Sequence, residues 1–515
     1  MVGEFHNERL TDFAEEAARS AMKRALESVQ ARLGQKWDLI IGGERVATKE
    51  RIASEDPSDL SRVAGYAAKA DRALAEQAMQ AAVRAFVRWK NVEPAARARC
   101  LLKAAAIMRR RKFELSAWMV VEAGKTWAEA DADTAEAIDF LEFYAREMVR
   151  LAERQPLIRL PGEDNELEYI PLGVGVIISP WNFPLAILTG MASAAIVAGN
   201  AVVVKPASAT PVIAAQLFDI LEEAGVPPGV ANYLPGGGGE IGDTLVAHPQ
   251  TRFINFTGSR DVGLHISELA AKAAPGQKWI KRVVAEMGGK DAIVIDEGID
   301  VEEAARAVVT SSFGFGGQKC SACSRAIIHE SLYDQVAKRV VELTQALRVG
   351  PAQDDRTHVG PVVDRHAYDK ILEYIEIGKS EGKLLCGGDK AKGNGYYIAP
   401  TVFGDVPTEA RIAQEEIFGP VLTLTKAGDF QQAVEFANGT DYGLTGGVFS
   451  RKREHLEYAR REFHVGNLYF NRKCTGAQVG VHPFGGFNMS GTDSKAGGRD
   501  YLYLFTQAKV VSEKL

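Results

Sequence analysis

Cysteine is scarce in this chain: five of 515 residues, at Cys100, Cys320, Cys323, Cys386 and Cys474. So odd and sparse a set does not make a disulfide framework and suits reduced thiols in the cytoplasm. A strong charge of one sign is also missing. The net charge is −6, with no long basic block, which argues against a nucleic-acid partner. The N-terminal stretch has no apolar signal core; it is charged and amphipathic from Glu15 and Glu16 to Lys23 and Arg24. The nine histidines are scattered and none recurs at ligand spacing, so no metal site is expected. Internal repeats and low-complexity tracts are absent too.

Long charge-free runs are rare, and the one from Tyr169 to Val204 needs attention. It contains Pro180, Asn182, Pro184, Gly190 and Asn200, which cut it into pieces too short to span a membrane and suited to buried strands and a helix. What remains is an ordinary soluble composition, 46% hydrophobic and 25% charged, in a chain long enough for at least two domains.

Short apolar runs alternate with amphipathic helical ones. Gly173–Ile178, Ala201–Val204, Val230–Leu234 and Phe253–Phe256 read as strands, separated by helical segments such as Pro211–Ala224. That is the βαβ rhythm of a doubly wound dinucleotide-binding sheet. A second α/β series starts at Asp291–Ile295 and continues through a helix at Tyr333–Leu347. Upstream, the Ala-, Arg- and Glu-rich stretch Ala73–Tyr144 has helical spacing. Pro156–Tyr169 reads as an extended polar arm and Ala508–Val511 as a short strand; together they suggest an oligomerisation flap.

Two residues supply complementary chemistry. Cys320, in Gly317-Gln-Lys-Cys320, offers a thiol that as thiolate attacks a carbonyl carbon, and Glu286, in Glu286-Met-Gly-Gly-Lys290, offers a carboxylate base for the water that would hydrolyse the resulting thioester. Either residue alone is more often a buried hydrophobe or a surface charge. Cys320 and Cys323 also form a Cys-x-x-Cys, but no second pair or spaced histidine completes a zinc site.

The order Pro180-Trp-Asn-Phe-Pro184, Lys205-Pro-Ala-Ser208, Phe256-Thr-Gly-Ser259, Glu286-Met-Gly-Gly-Lys290, Gly317-Gln-Lys-Cys320, Glu415-Glu-Ile-Phe-Gly-Pro420 and Pro483-Phe-Gly-Gly486 resembles the aldehyde dehydrogenases from about Trp37 onward. Cys320-Ser-Ala-Cys-Ser-Arg325, Asn471-Arg-Lys-Cys-Thr-Gly-Ala477 and Met489–Gly498 are similar, more narrowly, to the bacterial monofunctional Δ1-pyrroline-5-carboxylate dehydrogenases. Arg499, where that resemblance would place Pro, lies outside the chemistry.

The resemblance implies an α/β aldehyde dehydrogenase fold. It would have an NAD-binding domain at 1–155 and 173–287, a catalytic domain at 288–490, and a small β flap at 156–172 and 491–515 that makes a homodimer or higher oligomer. It implies Cys320 as nucleophile, Glu286 as base, and the Asn182 amide with the Cys320 N–H as oxyanion hole. Lys205 would contact the adenosine ribose, Gly258 and Ser259 the pyrophosphate at a helix N-terminus, and Glu416 beside Phe418 the nicotinamide ribose. Ser208 stands where many NAD-restricted relatives carry Glu, so NAD is the expected cofactor with NADP tolerated. Ser321 and the amides of Gly476 and Ala477 would hold a substrate α-carboxylate, and Phe183 and Phe484 its aliphatic part. His482, beside the Pro483 turn, is expected to be structural.

The implied reaction oxidises L-glutamate γ-semialdehyde to L-glutamate in proline and arginine breakdown. Succinic or aminoadipic semialdehyde is the alternative substrate. A non-catalytic protein on the same fold is the alternative class, against which intact Cys320, Glu286 and Asn182 speak.

Overall fold

The computed structural model describes residues 3–515. Two seven-stranded sheets organise the chain. In the first, Val174–Ile178, Ala201–Lys205, Ala231–Tyr233, Thr251–Thr257 and Arg282–Glu286 run parallel, with Leu39–Ile41 and Glu44–Val46 added antiparallel at one edge. Val174–Ile178 and Ala201–Lys205 are buried throughout, because helices cover both faces of a parallel sheet. The Tyr169–Val204 run is thereby explained: it supplies most of two adjacent strands and the Ala186–Val197 helix between them. No described helix is long and apolar enough to cross a membrane.

Connecting helices start and stop where local chemistry directs. Pro211–Ala224 opens with Pro in its first turn, where a missing N–H costs nothing, and ends at Gly225 in the left-handed region. The Ala73–Tyr144 stretch forms four helices, Arg72–Trp89, Pro94–Arg110, Lys112–Ala123 and Trp127–Leu151, and Trp118 and Tyr144 are fully buried among them.

Strand order decides where a ligand can sit. Val174–Ile178 lies between Ala201–Lys205 and Thr251–Thr257, so the chain first builds outward from it on one side and then, after Ala231–Tyr233, crosses back to its other side. Such a switch point opens a crevice at the carboxyl ends of the strands. The loops starting at Ser179 and at Gly258 flank that crevice.

The second sheet contains Asp291–Ile295, Cys323–His329, Lys383–Cys386, Thr401–Gly404, Val421–Ala427, Thr445–Phe449 and Asn467–Phe470, parallel except for Lys383–Cys386. Only Met287–Lys290 links it to the first sheet, joining the carboxyl end of Arg282–Glu286 to the amino end of Asp291–Ile295. The carboxyl edge of one sheet and the amino edge of the other are therefore adjacent.

The polar arm pairs from Glu163 to Pro171 with an antiparallel strand, Thr506–Lys514, longer than the four residues expected from sequence because its ladder runs the length of its partner. Gly491 and Ser494, assigned with the flap on sequence grounds, lie against Glu286, and Ala496 pairs with Phe484.

Candidate active site

Glu286 ends its strand directly beside Thr257, which ends the neighbouring one. Its buried carboxylate accepts hydrogen bonds from the Ser494 hydroxyl and, at 3.3 Å, from the Gly486 N–H. Burial outweighs these donors and pushes its pKa up to about 8, against the opposing pull of Lys495. Glycine is required around it: a Cβ on Gly485 would sit 1.7 Å from the Ser494 carbonyl oxygen and 2.9 Å from Glu286 Oε1.

Cys320 lies in the turn before Cys323–His329, at the amino edge of the second sheet, and is partly exposed. Burial of the thiol raises its pKa, and the carboxyls of Asp291, Glu416 and Glu286 raise it further; the Ser321 N–H directed at the sulfur works the other way. The resting group is a thiol. Its loop approaches other backbone closely: a Cβ on Gly289 would meet the Cys320 carbonyl oxygen at 2.4 Å, and one on Gly317 the Gly419 oxygen at 2.2 Å.

Asn182 is buried and donates one amide hydrogen to the Gln318 carbonyl at 3.1 Å, two residues before Cys320. An amide has two hydrogens, so the second is free to point at an oxygen on the substrate carbon. Among the described residues nothing accepts from the Cys320 N–H. The oxyanion donors expected from sequence are thus brought to the same turn.

On the cofactor side, Lys205 is buried, its Nζ reaching only the Pro206 carbonyl at 3.3 Å, with no acidic partner among the described residues. Burial lowers its pKa to about 8. Ser259 is the N-cap of the Arg260–Ala271 helix, with no side-chain cap bond, and Gly258 donates to the Glu286 carbonyl at 3.1 Å. Gly263, in the first turn of that helix, packs on Met287; a Cβ there would meet its sulfur at 2.5 Å. Glu416 accepts from the Gly289 N–H at 2.9 Å, and Phe418, at φ 62°, sits edge-on to Trp181 with centroids 5.4 Å apart. Ser208 is exposed. An unpaired buried ammonium, a free helix N-terminus and a carboxylate for ribose hydroxyls fit a dinucleotide.

On the substrate side, Ser321 follows Cys320, and Gly476 and Ala477 lie in the loop after Asn467–Phe470. Phe183 packs edge-on to Phe315 with centroids 6.5 Å apart and carries the Lys125 ammonium 3.8 Å from its centroid. Phe484 pairs with Ala496 and directly precedes the glycines against Glu286. Cys323 is buried, its sulfur on the Arg325 carbonyl at 3.4 Å, and all five cysteines are free.

Sequence reasoning missed Ser494, although it lies in the quoted Met489–Gly498 motif; a serine in a glycine-rich turn carries no sign of the carboxylate it will meet. It also missed the buried Lys125–Asp133 pair, 2.7 Å apart, whose Asp133 accepts from the Ala186 N–H at 2.6 Å and so fixes the helix after Pro184. Glu129, four residues after Lys125 and 2.9 Å from Lys319, was overlooked as well.

The aldehyde dehydrogenase family model matches residues 45–511. The chain belongs to the aldehyde dehydrogenase family. A 1-pyrroline-5-carboxylate dehydrogenase of Geobacillus sp. (strain WCH70) is 62% identical over 513 residues, covering 100% of both chains. The crystal structure of 1-pyrroline-5-carboxylate dehydrogenase from Thermus with bound NAD is 56% identical, superposes with a TM-score of 0.99 and covers both chains completely. Proline utilization A from Bdellovibrio bacteriovorus, 46% identical with a TM-score of 0.98, matches 99% of this chain but only 53% of its own. The aldehyde dehydrogenase fold and an enzymatic role are established by these matches. In this aldehyde dehydrogenase the thiol, the buried carboxylate and the amide donors all occupy the seam between the two sheets.

Proposed function

We propose that the protein oxidises L-glutamate γ-semialdehyde, the open form of Δ1-pyrroline-5-carboxylate, to L-glutamate, with NAD as cofactor. The observation that carries the substrate class is the group of donors beyond the nucleophile: Ser321, and the Gly476 and Ala477 N–H groups, which have no acceptor among the described residues. The relatives named above support it.

The partly exposed Cys320 thiol gives its proton to solvent water, and its sulfur bonds to the aldehyde carbon, placing negative charge on oxygen. Asn182 Nδ2 and the Cys320 N–H hold that oxygen, and as donors fixed by the fold they need no reorganisation. NAD, held by Lys205, Ser259 and Glu416, supplies the acceptor for the hydride leaving that carbon. Cys320 then carries a thioester. Glu286, with its pKa pushed up to about 8, acts in its unprotonated fraction as base for the water that attacks it, and the carboxylic acid departs as sulfur takes back the electron pair. The Ser494 hydroxyl keeps the carboxylate oriented between turnovers.

Exposed Ser208 places no negative charge where a 2′-phosphate would lie, so NADP is tolerated beside NAD. The paired strands Glu163–Pro171 and Thr506–Lys514, with Val510 62% exposed, provide the surface for a homodimer in the cytoplasm. The decisive assay follows NADH absorbance with glutamate semialdehyde, succinic semialdehyde and propanal. The highest kcat/KM belongs to glutamate semialdehyde; preference for an aldehyde without the α-carboxylate overturns the substrate, and no NADP turnover at any concentration overturns the tolerance.

A further inference from the structure

We propose that Arg472 is a positioning residue that shapes the α-carboxylate receptor, and thereby sets the preference for aldehydes carrying that group; this rests on the substrate proposed above. Arg472 is half-buried and has no acidic partner among the described residues. Its guanidinium is spent on backbone instead. Nε donates to the Lys473 carbonyl at 3.2 Å, and Nη2 to the carbonyls of Thr475 at 2.9 Å and Gly476 at 3.4 Å. The group is held in place over the Tyr469 ring, 4.4 Å from its centroid, with Nη1 3.4 Å from His482 Nε2.

Peptide geometry turns this clamp into a receptor. In a planar trans peptide the C=O and the following N–H point in opposite directions. The Thr475 and Gly476 carbonyls both face Arg472, so the N–H groups of Gly476 and Ala477 both face away from it. Neither finds an acceptor among the described residues. Gly476, at φ 79°, allows two successive N–H groups to converge as an anion-binding concavity.

The rest of the loop is pinned against the nucleophile's turn. Asn471 donates its N–H to the Val448 carbonyl at 2.8 Å and accepts from the Ser450 N–H at 3.0 Å. The buried Cys474 thiol lies 3.6 Å from the Ser321 carbonyl oxygen, and the Thr445 hydroxyl 3.5 Å from the same atom. One end of the receptor is therefore tied to Ser321 and the other is oriented by Arg472, which itself lies on the far side of the loop. Lysine would not substitute fully, because a single ammonium lacks the planar fork that reaches several carbonyls at once.

The test compares wild type, Arg472→Met and Arg472→Lys on glutamate semialdehyde and on propanal, with L-glutamate as a product inhibitor. Arg472→Met should raise the semialdehyde KM and the glutamate inhibition constant roughly tenfold, leaving kcat and the propanal kcat/KM within about twofold. Arg472→Lys should fall between. Equal losses on both aldehydes, or an unchanged semialdehyde KM, overturn the role. NAD affinity and melting temperature verify folding, and if Arg472→Met does not fold, Arg472→Lys decides by the same KM split. Wild type failing to prefer the semialdehyde over propanal would fault the substrate; a wild-type preference that survives in the variants would fault Arg472 alone.

Discussion

The two facing sheet edges present different groups, and each suits what it must hold. At the carboxyl edge of the first sheet, Lys205 is buried without an acid and Ser259 opens a helix whose N-terminus is uncapped by side chains. That edge awaits anionic groups. At the amino edge of the second sheet, Asp291 and Glu416 crowd Cys320, with Glu286 reaching it from across the seam, and hold it as a thiol. An unpaired cation costs folding free energy, as does a carboxylate that burial protonates. Both edges therefore sacrifice stability for chemistry, one for binding and the other for timing.

Removing the sulfur should have the largest effect. Cys320→Ala is expected to lower kcat by about 10⁴-fold or more while NAD still binds, since Lys205 and Ser259 lie on the other edge and the change leaves Glu416 in place. Lost turnover together with lost NAD binding would mean that the edges do not act separately. Glu286→Gln should lower steady-state kcat by roughly 10²- to 10⁴-fold yet allow one burst of NADH per active site, because acylation needs the thiol and hydrolysis needs the carboxylate. Loss of the burst as well would place Glu286 in the first half-reaction.

Lys205→Met tests the opposite edge and should raise the NAD KM by roughly tenfold. Burial lowers the Lys205 pKa, so the folded protein resists holding that proton and is destabilised wherever the ammonium is charged. The variant should therefore melt at a higher temperature than wild type at pH 7 without NAD; a lower melting temperature would show Lys205 to be a supporting contact. The effect of pH is graded, with the smallest change per unit step. The Glu286 carboxylate must be unprotonated to act as base, so the hydrolytic rate should fall about tenfold per pH unit below about 8, and be level above it. A rate independent of pH from 6 to 9 would remove Glu286 from the limiting step.

Much of this is legible in the sequence. The uninterrupted apolar runs Val174–Ile178 and Ala201–Val204 announced a parallel sheet, and Pro211 and Gly225 marked the ends of a helix. Cys320, Glu286 and Asn182 stood out through the motifs around them, and folding brings them to one seam. Ser494 did not stand out, because its partner Glu286 lies 208 residues away and no periodicity reports a contact of that separation. Arg472 was quoted within a motif and given no part, since a guanidinium in sequence looks like surface charge.

Local pattern thus settled which faces are buried and the α/β class, and it pointed to the candidate reacting groups, because those depend on neighbours along the chain. Tertiary structure alone settled their electrostatics: that Glu286 titrates near 8, that Cys320 rests as a thiol among carboxyls, and that two carbonyls turn toward Arg472. Desolvation and hydrogen-bond direction depend on what lies across the seam, and only the folded packing of two sheets puts anything there.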